Sequence, residues 1–192
     1  MKKFICMLLA MTMILGAMLA FASCDLFEDK DDDDEEDVTT DGAEKEEPEI
    51  PNNYQKFDNG DISFAYPANW TKTDGSVVML MNSTGVGNNI TVAYEPKSDL
   101  YEKMDMESFN TNLKPILEAA GMKVKDAKIE QLTNECGTKI TKIVINSEMS
   151  GVSLTQTMFV VAVGAKNYCI TVTETSTDAV LISNVYNTLY VK

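Results

Sequence analysis

Between residues 25 and 49 the chain carries fifteen carboxylates against two lysines, Lys30 and Lys45, a net charge of −13. Like charge at this density, with almost no apolar side chains, cannot offset the entropy of ordering, so the stretch stays self-repelling and extended. Nearly all of the formal −14 of the 192-residue chain therefore belongs to a spacer, and the acidic isoelectric point describes that spacer rather than a folded surface. Fully stretched, it would reach at most roughly 85 Å at ~3.4 Å per residue, which suits a tether. The run from Asp31 to Asp37 invites a calcium reading, but contiguous acids without a glycine turn to converge them do not make a loop site, and no metal site is expected. Pro48-Glu49-Ile50-Pro51-Asn52-Asn53 marks a boundary. Residues 24–53 are thus read as a linker, and 54–192 as the one segment able to build a core.

The residues before the spacer are of a third kind. Lys2 and Lys3 open an otherwise uncharged run from Phe4 to Ala22, and Ala22-Ser23-Cys24 closes it with two small residues before a cysteine. A basic start, an apolar middle and a small-residue end are the parts of an export signal, here residues 1–23. The terminal cysteine resembles a bacterial lipobox, which makes Cys24 the expected lipid attachment site and the membrane the first partner. Ala20-Phe21-Ala22 also fits ordinary secretory cleavage before Ser23, and the uncharged run nearly reaches the ~20 residues of a permanent span. All three readings place the domain outside the cytoplasm.

In the segment 54–192, Ile62, Phe64 and Tyr66 alternate with Ser63 and Ala65, the period of a half-buried strand. Val77, Met79 and Met81 follow the same rule, as do Ile90, Val92 and Tyr94, with Ser83-Thr84-Gly85-Val86-Gly87-Asn88 as the hairpin connection. Asp105 is placed to cap a helix with Met106, Phe109, Leu113, Ile116, Leu117 and Ala120 on one face, stopped by Gly121. Pro115 should kink or restart it. A short strand around Ala127–Leu132 precedes three extended segments, Lys139–Asn146, Val152–Val163 and Asn167–Glu174, which form an antiparallel meander. Phe159 to Val163 is apolar at every position, so the middle strand should be covered on both faces. Ser176 or Thr177 is expected to cap a last helix that buries Ala179, Ile182, Val185, Tyr186 and Leu189.

Phe57 followed by Ile62-Ser63-Phe64-Ala65-Tyr66-Pro67-Ala68-Asn69-Trp70 resembles the opening of PsbP-like domains, where a long strand runs into Pro-x-x-Trp. The strand Tyr168-Cys169-Ile170-Thr171 and a terminal helix recur in the same order there. The resemblance covers 54–192 and implies an α+β fold, an antiparallel sheet of six or seven strands packed between helices. Photosystem II extrinsic subunits and DcrB-type envelope lipoproteins share that fold, so the resemblance implies accessory and binding roles rather than a reaction.

Composition removes several chemistries. The chain has neither histidine nor arginine. Ser-His-Asp and Cys-His mechanisms and ordinary zinc sites need the first, and bidentate phosphate clamps need the second. Nucleic acid is not expected as a partner of so acidic a chain without a basic patch. Carboxylate pairs could in principle drive hydrolysis, with Asp58 and Asp61, or Asp99, Glu102 and Asp105, as nominees, although solvated acids at strand ends are the plainer reading. Met79-Leu80-Met81 and Met104-Asp105-Met106 are read as core filling rather than soft-metal ligands. Trp70 and Tyr66 are read as corner anchors. Cys136 and Cys169 are expected to remain unpaired, because the meander holds their strands two spacings apart, ~9.6 Å, beyond disulfide reach; the alternative is the disulfide usual in exported chains, since Cys136 lies in the turn before its strand, which could curl back to close the gap. Cys169 shares a face with Thr171 and Thr173 and is expected to be accessible. No catalytic, cofactor or metal residues are assigned. The expectation is a lipid-anchored envelope protein that acts by binding a protein partner, with a small-ligand pocket between sheet and helix, or a carboxylate hydrolase, as alternatives.

Overall fold

Ten strands fall into two antiparallel sheets in a computed structural model that describes residues 46–82 and 87–192. The signal reading, Cys24 and most of the acidic spacer lie outside the described residues, as does the loop 83–86. The small sheet has the order β1 (Tyr54–Asp58), β2 (Ile62–Pro67), β10 (Tyr190–Val191). The large sheet runs β3 (Trp70–Thr73), β4 (Val78–Asn82), β5 (Asn89–Pro96), β9 (Lys166–Glu174), β8 (Val152–Val163), β7 (Lys139–Met149), β6 (Met122–Thr133). The helices are α1, a run of Met106–Ser108, the π turn Phe109–Leu113 and Lys114–Ala119, and α2, Ala179–Thr188. Among the described residues no helix is long and apolar enough to cross a membrane.

The meander is as expected: β7 and β9 flank β8, which spans the expected Val152–Val163 and carries the apolar run in its second half. Its alternate residues feed two cores. Phe159 and Val161 join Ile170, Val172, Leu181 and Val185 on the face that carries the small sheet and α2. Met158 and Val160 join Ile143, Ile145, Phe109, Leu113 and Leu117 on the face that carries α1. A large side chain moved from water to such a core contributes roughly 1.5–3 kcal/mol, so β8 stabilises both layers at once.

Asp105 caps α1 by accepting the Ser108 N–H at 2.8 Å. The expected disturbance at Pro115 is a change of helix type. The Lys114 N–H reaches back to Phe109 O in a π turn, and the α pattern restarts with Pro115 in its first turn, where a missing N–H leaves no gap. Gly121 ends the run at φ 87°, a conformation open to glycine.

Several expectations are corrected. β2 is not half-buried: Ser63 and Ala65 are as enclosed as Ile62 and Phe64, because β2 is the middle strand of its sheet and both of its faces are covered. Ser63 donates its hydroxyl to Glu47 at 2.8 Å, and Glu47 also pairs with Lys56 at 2.6 Å. The last residues of the linker thus pack on the domain rather than hang free of it. In β4 the core residue is Leu80, with Val78 beside it, while Met79 and Met81 are half-buried on the opposite face. The register that puts Leu80 opposite Ile90 decides this. Tyr94 continues the alternation of Ile90 and Val92 but is 62% exposed. The cap of α2 is Asp178, which accepts the Leu181 N–H at 3.0 Å; Ala179 is exposed, and the buried face is Leu181, Val185 and Thr188.

β10 is too short to pair with all of β2. Tyr190 lies opposite Ser63 and Val191 opposite Ile62, and the same register puts Thr188 opposite Ala65. Thr188 is still helical, so it cannot offer a strand carbonyl there. Its hydroxyl oxygen accepts the Ala65 N–H instead, at 2.8 Å, and donates its own proton to Asn184 O at 2.6 Å.

Candidate ligand groove

The nominated carboxylates do not converge. Asp58 is held by Lys56 at 3.1 Å and Lys192 at 2.6 Å, and those contacts together with the Gly60 N–H hold its carboxyl well below the usual range. Asp61 accepts the Tyr168 hydroxyl and pairs with Lys166 at 3.1 Å, which together lower it. Asp99 pairs with Lys103 at 3.3 Å, four residues away, and Asp105 is spent on capping α1. Asp58, Asp61, Asp99 and Asp105 thus each have a structural partner, and the fifth nominee, Glu102, lines the groove described below. Among the described residues no group of three acid or cysteine side chains could hold a metal ion.

The methionine triplets also separate. Met104 is core beneath α1, whereas Met106 is 43% exposed. Tyr66 is buried in the core and Trp70 packs against it, on either side of the turn between β2 and β3. Cys136 and Cys169 are both free thiols. Cys169, however, is not accessible. It is 4% exposed under the loop 97–104, and burial pushes its thiol up to about 12. The Thr171 and Thr173 face is equally buried, so its polarity reflects polar residues inside the protein rather than a wet surface.

What the fold does build is a groove of about 640 Å³ at one end of the large sheet, on the α1 face. Thr141, Val160, Ala162 and Asn167 form its floor, from three adjacent strands. The segment from Lys97 to Glu102 makes one wall, and the β6–β7 turn, from Thr133 to Thr138, makes the other.

Each wall is fixed by side-chain hydrogen bonds. Asn167 donates to Ser98 O at 3.1 Å, and Gln131 donates to Tyr101 O at 3.0 Å. The Tyr101 ring turns inward, where its hydroxyl donates to Glu95, and burial pushes both groups up. On the other side the buried Asn134 donates to Tyr186 O at 2.9 Å and Leu189 O at 2.7 Å, and accepts the Thr138 N–H at 3.0 Å. The turn is thereby stitched to the end of α2. A groove held open this way loses little entropy on binding. Its lining alternates apolar side chains with hydroxyls and amides, with Lys97 and Lys139 as cations and Glu102 as the single acid. Two-carboxylate hydrolysis has no second acid there.

No family model matches the chain, and no curated protein matches it. Among solved structures it is similar to a protein from Bacteroides thetaiotaomicron at 12% identity and a TM-score of 0.46, covering 68% of this chain and 45% of that one. A protein of unknown function from Pseudomonas aeruginosa is similar at 11% identity and a TM-score of 0.36, with 63% and 82% covered. The chain thus spans less than half the length of the Bacteroides protein.

Sequence reasoning did not find the groove. Its residues come from six separated stretches, and none carries a motif. The one usable signal was Asn134 followed by Gly137, a turn rich in side-chain acceptors, which reads as a fixed loop without saying what it faces.

Proposed function

We propose that this chain is a lipid-anchored bacterial envelope protein, attached through Cys24, whose PsbP-like domain binds an extended segment of an envelope partner and performs no chemistry of its own. The pre-set groove at the end of the large sheet carries this reading. It is open, mixed in polarity and walled by fixed loops, which suits a strand of polypeptide with side chains of both kinds. The export signal and acidic tether support a domain held clear of a membrane. The Tyr-Pro-x-x-Trp corner and the order of meander and terminal helix support the PsbP-like reading. Exposed large apolar side chains are scattered, as Tyr94, Met106, Val152 and Val180, so a broad hydrophobic interface has less to rest on.

A free small ligand in the same groove is the second reading, favoured by a volume within the ~300–1,000 Å³ of ordinary ligand sites. Replacing Ala162, half-buried on the groove floor, by phenylalanine fills the space without emptying the core. Envelope proteins recovered with the anchored wild type should be lost with Ala162→Phe while the melting temperature holds. Recovery of the same proteins by both chains would refute the groove as the binding site. Loss of a co-purifying small molecule instead would favour the second reading.

A further inference from the structure

The groove differs in charge from the domain around it. Residues 50–192 hold fifteen acids and twelve lysines, a net −3, whereas the groove is lined by Lys97, Lys139 and one acid, Glu102. Nine of those lysines form ion pairs among the described residues. The other three are Lys97, Lys123 and Lys139, and Lys123 lies opposite Glu148 in the β6–β7 register. The two remaining cations thus flank a single groove, Lys97 on one wall and Lys139 beside the other.

An acidic segment of this same chain enters the domain next to that groove. Glu47 pairs with Lys56 at 2.6 Å and accepts the Ser63 hydroxyl at 2.8 Å, and these contacts, with Lys192 nearby, hold its carboxyl below the usual range. Ser63 lies opposite Tyr190, and the next residue of β10, Val191, lines the groove. Ten residues before Glu47 stands Asp37, the end of the contiguous acids Asp31 to Asp37. Ten residues reach up to about 34 Å, against a radius of gyration of about 14 Å for a domain of this size. The acidic run can therefore reach the groove while Glu47 stays in place.

We propose that the run Asp31–Asp37 of the chain's own spacer occupies the groove, its carboxylates shared between Lys97 and Lys139. The inference rests on the groove being the binding site proposed above, and adds that a partner segment must displace the spacer to enter it. The two lysines relieve part of the repulsion within the run, and a short tether presents it at a millimolar effective concentration. The contact is between exposed charges, which salt screens over about 8 Å at physiological ionic strength, so it stays exchangeable.

The test follows groove amides by NMR in the mature chain from Cys24 onward, at low salt. Thr138, Lys139 and Ala162 report on the groove, and Asn146 and Thr155, at the other end of their strands, serve as controls. In one variant the run is neutralised, with Asp→Asn at 31–34 and 37 and Glu→Gln at 35 and 36. Its groove amides should shift from the wild-type positions to those the wild type adopts in 0.5 M salt, while the controls stay fixed. Lys97→Gln with Lys139→Gln should remove the shift that neutralisation causes. Coincident groove amides in the wild type and the neutralised variant would overturn the proposal. So would a shift that persists without the two lysines, which marks a field effect without contact, or one that grows with protein concentration, which assigns the spacer of a second copy. None of these readings needs the envelope partner. Coincident amides beside partners lost in Ala162→Phe would therefore remove self-occupancy alone, and the expected shifts beside partners kept in Ala162→Phe would remove the partner reading alone.

Discussion

Thr188 replaces a strand with a side chain, and this makes its hydroxyl a measurable part of the fold. Thr188→Val keeps the volume and β-branching and removes one oxygen. The Ala65 N–H then loses its acceptor inside the protein, where Thr188 is 5% exposed and Ala65 fully buried. An orphaned buried N–H costs about 1–3 kcal/mol. At about 2–5 °C per kcal/mol for a domain of this size, a loss of ~2 kcal/mol lowers the melting temperature by roughly 4–10 °C. Thr188→Ser is the informative companion. It keeps the hydroxyl and gives up a methyl group, worth about 0.8 kcal/mol. Urea unfolding should rank threonine above serine and serine above valine, and hydrogen exchange at the Ala65 amide should quicken in the valine variant alone. An account based only on apolar burial ranks valine above serine. That order, or unchanged exchange at Ala65, would refute the role given to the hydroxyl.

Thiol titration of the reduced mature protein should find Cys136 reactive in the folded state and Cys169 only after denaturation, because burial has raised the Cys169 thiol to about 12; a missing pair of thiols in the denatured, unreduced protein would mean a disulfide the fold does not show. Asp61 is held below its ordinary value by Tyr168 and Lys166, so its contribution is present above about pH 4 and is lost as pH falls through the lowered value. Asp61→Asn should therefore narrow the difference in melting temperature between pH 7 and pH 3, and an unchanged difference would count against those contacts. Intact mass of membrane-extracted protein should show acyl lipid on Cys24, whereas a lipid-free form beginning at Ser23 would establish simple secretion.

Long elements with one dominant signal were legible in the sequence. β8 is apolar on both faces because it serves two cores, and that doubled demand is what the run from Phe159 to Val163 displays. The helix carrying Pro115 was legible for a similar reason, since proline's missing N–H acts locally. β4 was misphased because Val77 to Met81 is apolar at every position, and only pairing with β5 selects Leu80 for the core. β1 and β3 carry charged residues over five and four positions, and β1 buries just Phe57, so neither shows a strand period. The cap of α2 shifted to Asp178 because Asn88 already binds the backbone at Thr175 and Ser176. The groove was invisible for a different reason. It is a meeting of distant segments, and its chemistry exists only once strand order is known.

The pairing of β2 with residues from Thr188 onward also bears on how the chain acquires its structure in time. β1 and β2 can form a hairpin as soon as they are made, but the far side of β2 waits for a contact 123 residues downstream. Closing so long a loop is entropically demanding and tends to be slow. A chain made from its amino end therefore holds one side of β2 open until nearly all of the domain is present. The small sheet is the last part to seal, so a truncated product lacking residues 188–192 would expose an unpaired strand edge, the feature by which quality-control proteases and aggregating neighbours recognise unfinished protein.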